Sequence, residues 1–336
     1  MKTYEIAEPK GIDSLKLVER PTPKPRANEV LVRVRATSLN YRDLVTVKGG
    51  AATRGIRLPL VPLSDGAGEV VDVGGDVTRF KPGHRVVASF FQSWLSGSPH
   101  PSYFRSALGG AIDGTLTEYV ALSEEGLIRI PDYMSFEEAA SLPCAAVTSW
   151  NALVSMGRLT AGETVLVLGT GGVSIFALQF ARIHGARVIA TSSSDAKLAR
   201  LRELGATGVI NYKTNPEWDA QVLEMTGGQG VDHVIEVGGA GTLTKSIRAA
   251  KLGGRISLIG LLAGGAQVDP MPMLLKSITL QGIFVGSRAM FEEMNRAMEA
   301  NQVHPAIDRI FPFSEARDAY RYLESGAHFG KVCIAV

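Results

Sequence analysis

The chain changes period along its length. Thr164 to Leu168 is a short apolar, β-branched run, which predicts a buried strand. Gly169, Gly171 and Gly172 break the run, and Ile175 to Ile183 then predicts a helix that stops at Gly185, a residue suited to a left-handed cap. Arg187 to Thr191 predicts a second strand. The alternation continues with strands expected at 232–237, 255–259 and 277–285, ending at Gly238-Gly239, Gly260 and Val285. This pattern predicts an α/β fold with a doubly wound parallel sheet.

The first 125 residues follow a different rule. Glu29 to Ala36 sets Val30, Val32 and Val34 on one face and Leu31, Arg33 and Arg35 on the other, which predicts a strand with one core face. Further strands are expected at 68–73, 85–88 and 117–122, separated by turns such as Lys81-Pro82-Gly83. Many short strands with few helices suggest a small barrel or sandwich. Phe91 to Asp113 is a long aromatic-rich loop, and loops of that length are usually functional or mobile. Ser135 to Glu138 is a capping box that opens a helix. A last helix over 290–300 and a strand over 331–336 close the chain.

Composition adds bounds. At 336 residues the chain suits two domains, and 45% hydrophobic residues suffice for a large core. The net charge of +2, with acids and bases interspersed, argues against a nucleic-acid partner. The apolar stretch from Val165 to Phe180 is too short and too glycine-broken to span a membrane. Cys144 and Cys333 are the two cysteines, so no disulfide framework is expected. No apolar core of signal-peptide length follows Met1. These readings together give a cytoplasmic protein with neither nucleic acid nor membrane as partner.

The glycine turn carries candidate chemistry. Between a strand and a helix, glycines let the backbone approach a pyrophosphate, whose charge rests on the helix N-terminus. That assigns Thr170, Gly171, Gly172 and Val173 to a dinucleotide, with Ser174 at the third glycine position. Ligands of such sheets lie beyond the strand ends, which adds Gly238, Leu261, Phe284 and Val285. An acid at the end of the second strand would hold the ribose hydroxyls of NAD. Thr191-Ser192-Ser193-Ser194 stands there instead, with Lys197 following. Ser192, Ser193 and Lys197 therefore predict NADPH, with Asp195 close enough to blunt the preference.

Three motifs carry a resemblance: ATSLNYRDL at 36–44, LSDGAGEVVDVG at 63–74 and GTGGVS at 169–174. Over nearly its whole length the chain resembles the medium-chain dehydrogenase/reductase superfamily. The resemblance implies a Rossmann sheet inserted in a GroES-like, partly open β-barrel catalytic domain. The expected divisions are 1–125 and 287–336 for the catalytic domain and 126–286 for the cofactor domain. The metal-binding branch has cysteine where Asn40 stands, a His-Glu pair where Ser64-Asp65 stands, and its third ligand at Cys144. One soft ligand of three remains, and the four-cysteine structural lobe is missing. No zinc is therefore expected. The closer likeness is to the zinc-independent quinone-oxidoreductase-like branch. It implies substrate orientation by Asn40 and Tyr41, cofactor contacts from Thr148, Tyr212 and Lys331, and a homodimer.

Without a Lewis acid, a conjugated acceptor is favoured, since a quinone or enone spreads the charge that arrives with hydride. The expected function is an NADPH-dependent, zinc-independent oxidoreductase acting on a quinone or α,β-unsaturated carbonyl. Two alternatives stay open: a metal-free alcohol or ketone dehydrogenase or enoyl reductase, and an NADPH-binding protein with little turnover.

Overall fold

In the computed structural model, residues 1–49, 56–260 and 267–336 are described. The elements run in chain order as β1 (Lys2–Ile6), β2 (Leu15–Glu19), β3 (Glu29–Ser38), α1 (Tyr41–Lys48), β4 (Asp65–Val73), β5 (Arg85–Ala88), β6 (Tyr119–Ser123), β7 (Leu127–Arg129), α2 (Phe136–Ala140) and α3 (Val147–Trp150). Then come β8 (Thr164–Leu168), α4 (Gly172–Ile183), β9 (Arg187–Ser192), α5 (Asp195–Glu203), β10 (Gly208–Asn211), α6 (Trp218–Met225), β11 (Val231–Glu236), α7 (Ala240–Ala249), β12 (Ala250–Leu258), α8 (Met271–Leu275) and β13 (Thr279–Gly282). The chain closes with α9 (Arg288–Ala300), β14 (Ile307–Pro312), α10 (Ala316–Glu324) and β15 (Lys331–Ala335).

Two compact units result: Met1–Val147 with Gly286–Val336, and Thr148–Val285. The expected divide after residue 125 falls inside the first unit. The reason is pairing: β7 adds antiparallel to β5, and α2 packs on β3 and β4.

In the first unit β1 and β2 form a hairpin, and a larger sheet runs β14-β15-β3-β4-β5-β7. Strand β3 is its spine. One edge pairs with β4, while the other is shared by β6 at Glu29–Arg33 and β15 at Ala36–Ser38. Val30, Val32 and Val34 are buried and Arg33 and Arg35 exposed, as the alternation predicts, but Leu31 on the arginine face is buried too. Among the described residues the strand path stays open, in line with the partly open form expected.

The second unit holds one parallel sheet, β10-β9-β8-β11-β12-β13. Numbered from β8, the order is 3-2-1-4-5-6, the dinucleotide-binding arrangement with its switch point between β8 and β11. Every residue of β8 is buried, because helices cover both faces of such a sheet. Phe176 and Phe180 of α4 are fully buried, each contributing about 2–3 kcal/mol. Helix α4 stops as expected: Gly185 takes φ +75°, and Ala186 N–H donates to Ala181 O at 2.9 Å.

The strand expected over 277–285 is shorter. Ser277 and Val285 have φ +51° and +56°, which confines β13 to Thr279–Gly282. Among the described residues, no helix is long and apolar enough to cross a membrane.

Candidate active site

The second unit gathers most of the expected cofactor residues at the carboxyl ends of β8, β9 and β10. Gly169 leaves β8 with φ +75°, and a Cβ built there or on Gly171 meets no atom within 4 Å. The space before the turn is open. The first-turn amides of α4 receive no side-chain cap. The first N–H groups of a helix have no intrahelical partner, and an anion can meet them. Ser174, in the third glycine position, is buried and turns its hydroxyl inward to Leu168 O at 2.6 Å, so it ties helix to strand. Thr170 is buried, and the Val173 carbonyl accepts from Ser149 Oγ at 2.8 Å.

Strand β9 ends at buried Ser192, with half-buried Ser193 and Lys197 beyond it. Exposed Tyr212 stands next to them, its N–H donating to Ser192 O at 3.0 Å. No carboxylate ends β9. The nearest in sequence, Asp195, is held by Asn211 Nδ2 at 2.7 Å. These residues suit a dinucleotide: room at the glycine turn, unpaired amides for the pyrophosphate, and hydroxyls at the ribose position.

Along the same sheet, Gly238 and Gly239 donate their N–H groups to Glu236 Oε1 at 2.8 and 2.9 Å. Thr242 Oγ1 adds a third bond at 2.5 Å, and Ser246 holds the other oxygen. Glu236 is fully buried, and sequence reading missed it. Val285 is a β-branched residue in left-handed backbone, a strain of about 1–3 kcal/mol. Its carbonyl accepts from Asn151 Nδ2 at 2.7 Å, another residue sequence reading missed. Phe284 beside it is 57% exposed, and Thr148 is buried. Leu261 lies outside the described residues.

The first unit assembles a buried polar cluster around Asn40. Strand β3 ends at Ser38, and Asn40 caps α1: its N–H donates to Asp43 Oδ2 at 2.7 Å. Asn40 is 8% exposed, whereas Tyr41 next to it is 53% exposed. Strand β15 brings Lys331 to the same place, 3% exposed. Its Nζ donates to Leu39 O at 2.7 Å and Asn40 Oδ1 at 2.6 Å, and pairs with Asp65 Oδ2 at 3.5 Å. Asp65 opens β4 and is fully buried. It also accepts from Ser38 Oγ at 3.2 Å and Ser64 Oγ at 2.8 Å. Asn40 Nδ2 is buried and has no hydrogen-bond partner among the described residues.

Two further groups are perturbed. Burial raises Asp43 to about 6, opposed chiefly by the Arg42 guanidinium. Burial also pushes the Cys144 thiol up, with Asp65 adding to the effect. The expected metal-branch positions are therefore together, but Asn40 and Asp65 are already bonded to an ammonium. Among the described residues, no three His, Cys, Asp or Glu side chains are grouped to hold a metal ion. The long loop is packed rather than open: Trp94 stacks on Tyr103 at 5.9 Å and Phe91 meets Phe104 edge-on at 5.6 Å.

Comparison with known proteins finds two family models. Residues 26–132 match the alcohol dehydrogenase GroES-like domain and residues 172–300 match the model described as zinc-binding dehydrogenase. The zinc-type alcohol dehydrogenase-like protein C1773.06c of Schizosaccharomyces pombe is 46% identical over 97% of this chain and 96% of its own. The chain belongs to the medium-chain dehydrogenase/reductase superfamily. Within it, the 2-methylene-furan-3-one reductase of Solanum lycopersicum is 31% identical over 99% of this chain and 79% of its own. A crystal structure described as an alcohol dehydrogenase from Sinorhizobium meliloti 1021 aligns with TM-score 0.94 at 41% identity, covering 100% of this chain and 98% of the other. As a superfamily member with these relatives, the protein is an oxidoreductase that works with a nicotinamide cofactor.

Proposed function

We propose that this protein is an NADPH-dependent, zinc-independent reductase of conjugated carbonyls, enones or quinones. The observation that carries the reading is the Lys331 ammonium at the metal-branch positions, 2.6 Å from Asn40 Oδ1 and 3.5 Å from Asp65 Oδ2. A divalent cation there would confront a buried positive charge and ligands of the wrong chemistry, since zinc selects thiolate, imidazole and carboxylate. The zinc-binding description attaches to residues 172–300, a span that includes none of Asn40, Ser64 and Cys144. The alcohol dehydrogenase names of the yeast and Sinorhizobium proteins favour a second reading, oxidation of a simple alcohol.

The residues at the glycine turn and at Ser192, Ser193 and Lys197 would hold NADPH, with Thr148, Gly238, Leu261, Phe284 and Val285 as the remaining cofactor contacts. When bound, the reduced nicotinamide supplies a hydride to the β-carbon of an enone. The C=C electron pair moves towards the carbonyl oxygen, and water delivers a proton to the α-carbon. The protein's share is electrostatic. Asn40 Nδ2 donates to the oxygen as its charge grows, and a preorganised donor in a water-poor site is effective there. Conjugation spreads the remaining charge. A saturated ketone has no such relief.

The test is Asn40→Ala. It should lower kcat with an enone more than it raises the KM for NADPH. An unchanged kcat would remove Asn40 from the mechanism.

A further inference from the structure

We propose that Lys331 is a positioning residue: it fixes which end of the Asn40 amide meets the substrate, so that Asn40 presents a donor. The inference rests on the reading of Asn40 as a hydrogen-bond donor. An ammonium carries three N–H donors and no acceptor. Only the oxygen of an amide can face it. The 2.6 Å contact between Lys331 Nζ and Asn40 Oδ1 therefore decides the amide orientation on chemical grounds. A flipped amide would set N–H against N–H. The backbone of Asn40 is fixed as well, because its N–H is held by Asp43 Oδ2 at 2.7 Å.

The donors of Lys331 are all engaged. Leu39 O takes one at 2.7 Å, Asn40 Oδ1 the second, and Asp65 Oδ2 the third at 3.5 Å. None is left for a cofactor phosphate or a substrate, so Lys331 acts through Asn40. The balancing carboxylate, Asp65, is itself anchored by Ser38 and Ser64, which keeps the ammonium in place. What emerges is Asn40 Nδ2, buried and without a partner among the described residues. A buried donor left unsatisfied is costly and calls for an explanation. The explanation here is a ligand acceptor: a carbonyl oxygen that gains charge. The ammonium behind the amide polarises it, so the N–H groups donate more strongly than those of an isolated asparagine.

The experiment is a coupling cycle on the full chain, read with NADPH and 2-cyclohexenone. Lys331→Met alone strands the Asp65 charge and threatens the fold, so the working variant is Lys331→Met with Asp65→Asn, which removes both charges. That variant should melt within a few degrees of wild type and bind NADPH, followed by nicotinamide fluorescence, within twofold. Its kcat should fall at least about tenfold, towards the roughly 10²–10³-fold loss that follows removal of one oxyanion donor. Adding Asn40→Ala should then lower kcat by less than twofold further, since both changes remove the same donor. Losses that multiply, or a tenfold weaker NADPH complex with kcat intact, would overturn the role given to Lys331. Asn40→Asp separates the parent reading. It keeps the acceptor for Lys331 but removes the N–H groups, and should be as slow as Asn40→Ala. Wild-type kcat in Asn40→Asp would sink the donor reading itself. A slow Asn40→Asp with no coupling to Lys331 would sink only the positioning role.

Discussion

Asp43 gives the sharpest prediction about stability. It is fully buried, one oxygen accepts from Asn40 N–H, and the other has no hydrogen-bond partner. Arg42 lies 3.9 Å from that second oxygen, Tyr320 is held above its ordinary range partly by the Asp43 charge, and Asp65 and Lys331 also act on it. Burial outweighs the favourable terms and lifts Asp43 from 3.8 to about 6. The folded state therefore binds the proton more tightly than the unfolded chain. The contribution of Asp43 to stability is fully present below about pH 4 and is lost as pH rises through about 6, by about 3 kcal/mol for a shift of about two units. Asp43→Asn mimics the neutral acid at every pH. Its amide oxygen still accepts from Asn40, and Arg42 keeps Leu108 O at 2.8 Å and the Phe90 ring at 4.8 Å. The variant should match wild type near pH 4 and exceed it at pH 8 by about 2–3 kcal/mol. For a unit of about 200 residues that is roughly 4–12 °C in Tm, measured by calorimetry at both pH values. A variant less stable than wild type at pH 8, with a gap that persists to pH 5, would show Asp43 to be a net stabilising ion and refute the reasoning.

Two further outcomes follow from the second unit. Lys197→Ala should lower the ratio of kcat/KM for NADPH over NADH several-fold, and an unchanged ratio would show that Lys197 does not read the 2′-phosphate. β13 is the outer strand of its sheet among the described residues, with Leu280 partly exposed and Leu274 and Leu275 more than two-thirds exposed nearby. An unpaired apolar edge invites a second copy. Sedimentation should give a dimer at micromolar concentration and a monomer for Leu280→Lys; a wild-type monomer would exclude this assembly.

The parts of the molecule that were legible in the sequence are those with local causes. The buried run 164–168, the glycine break and the stop at Gly185 each follow from residue type within a few positions. Helix α1 was not expected; the local signal was Asn40 followed by Asp43, a cap that only makes sense once a helix is assumed. Val285 cut short a strand that its composition promised, since nothing in a β-branched run announces left-handed backbone. Lys331 was named as a cofactor residue by resemblance alone. Its bonds to Leu39, Asn40 and Asp65 span more than 260 positions, and such pairing has no local trace. The divide at Val147 was obscured in the same way, because the pairing of β7 with β5 is a tertiary fact.

The central claim is hydride delivery to a conjugated acceptor without a metal. The most direct measurement is NADPH oxidation by chelator-treated enzyme, followed with 2-cyclohexenone, a benzoquinone, cyclohexanone and a simple secondary alcohol run in reverse with NADP. Turnover with the enone or quinone, undiminished by the chelator and well above that with cyclohexanone, is expected. Efficient oxidation of the secondary alcohol, lost with about one zinc per chain and accompanied by silence towards every conjugated acceptor, would contradict the account.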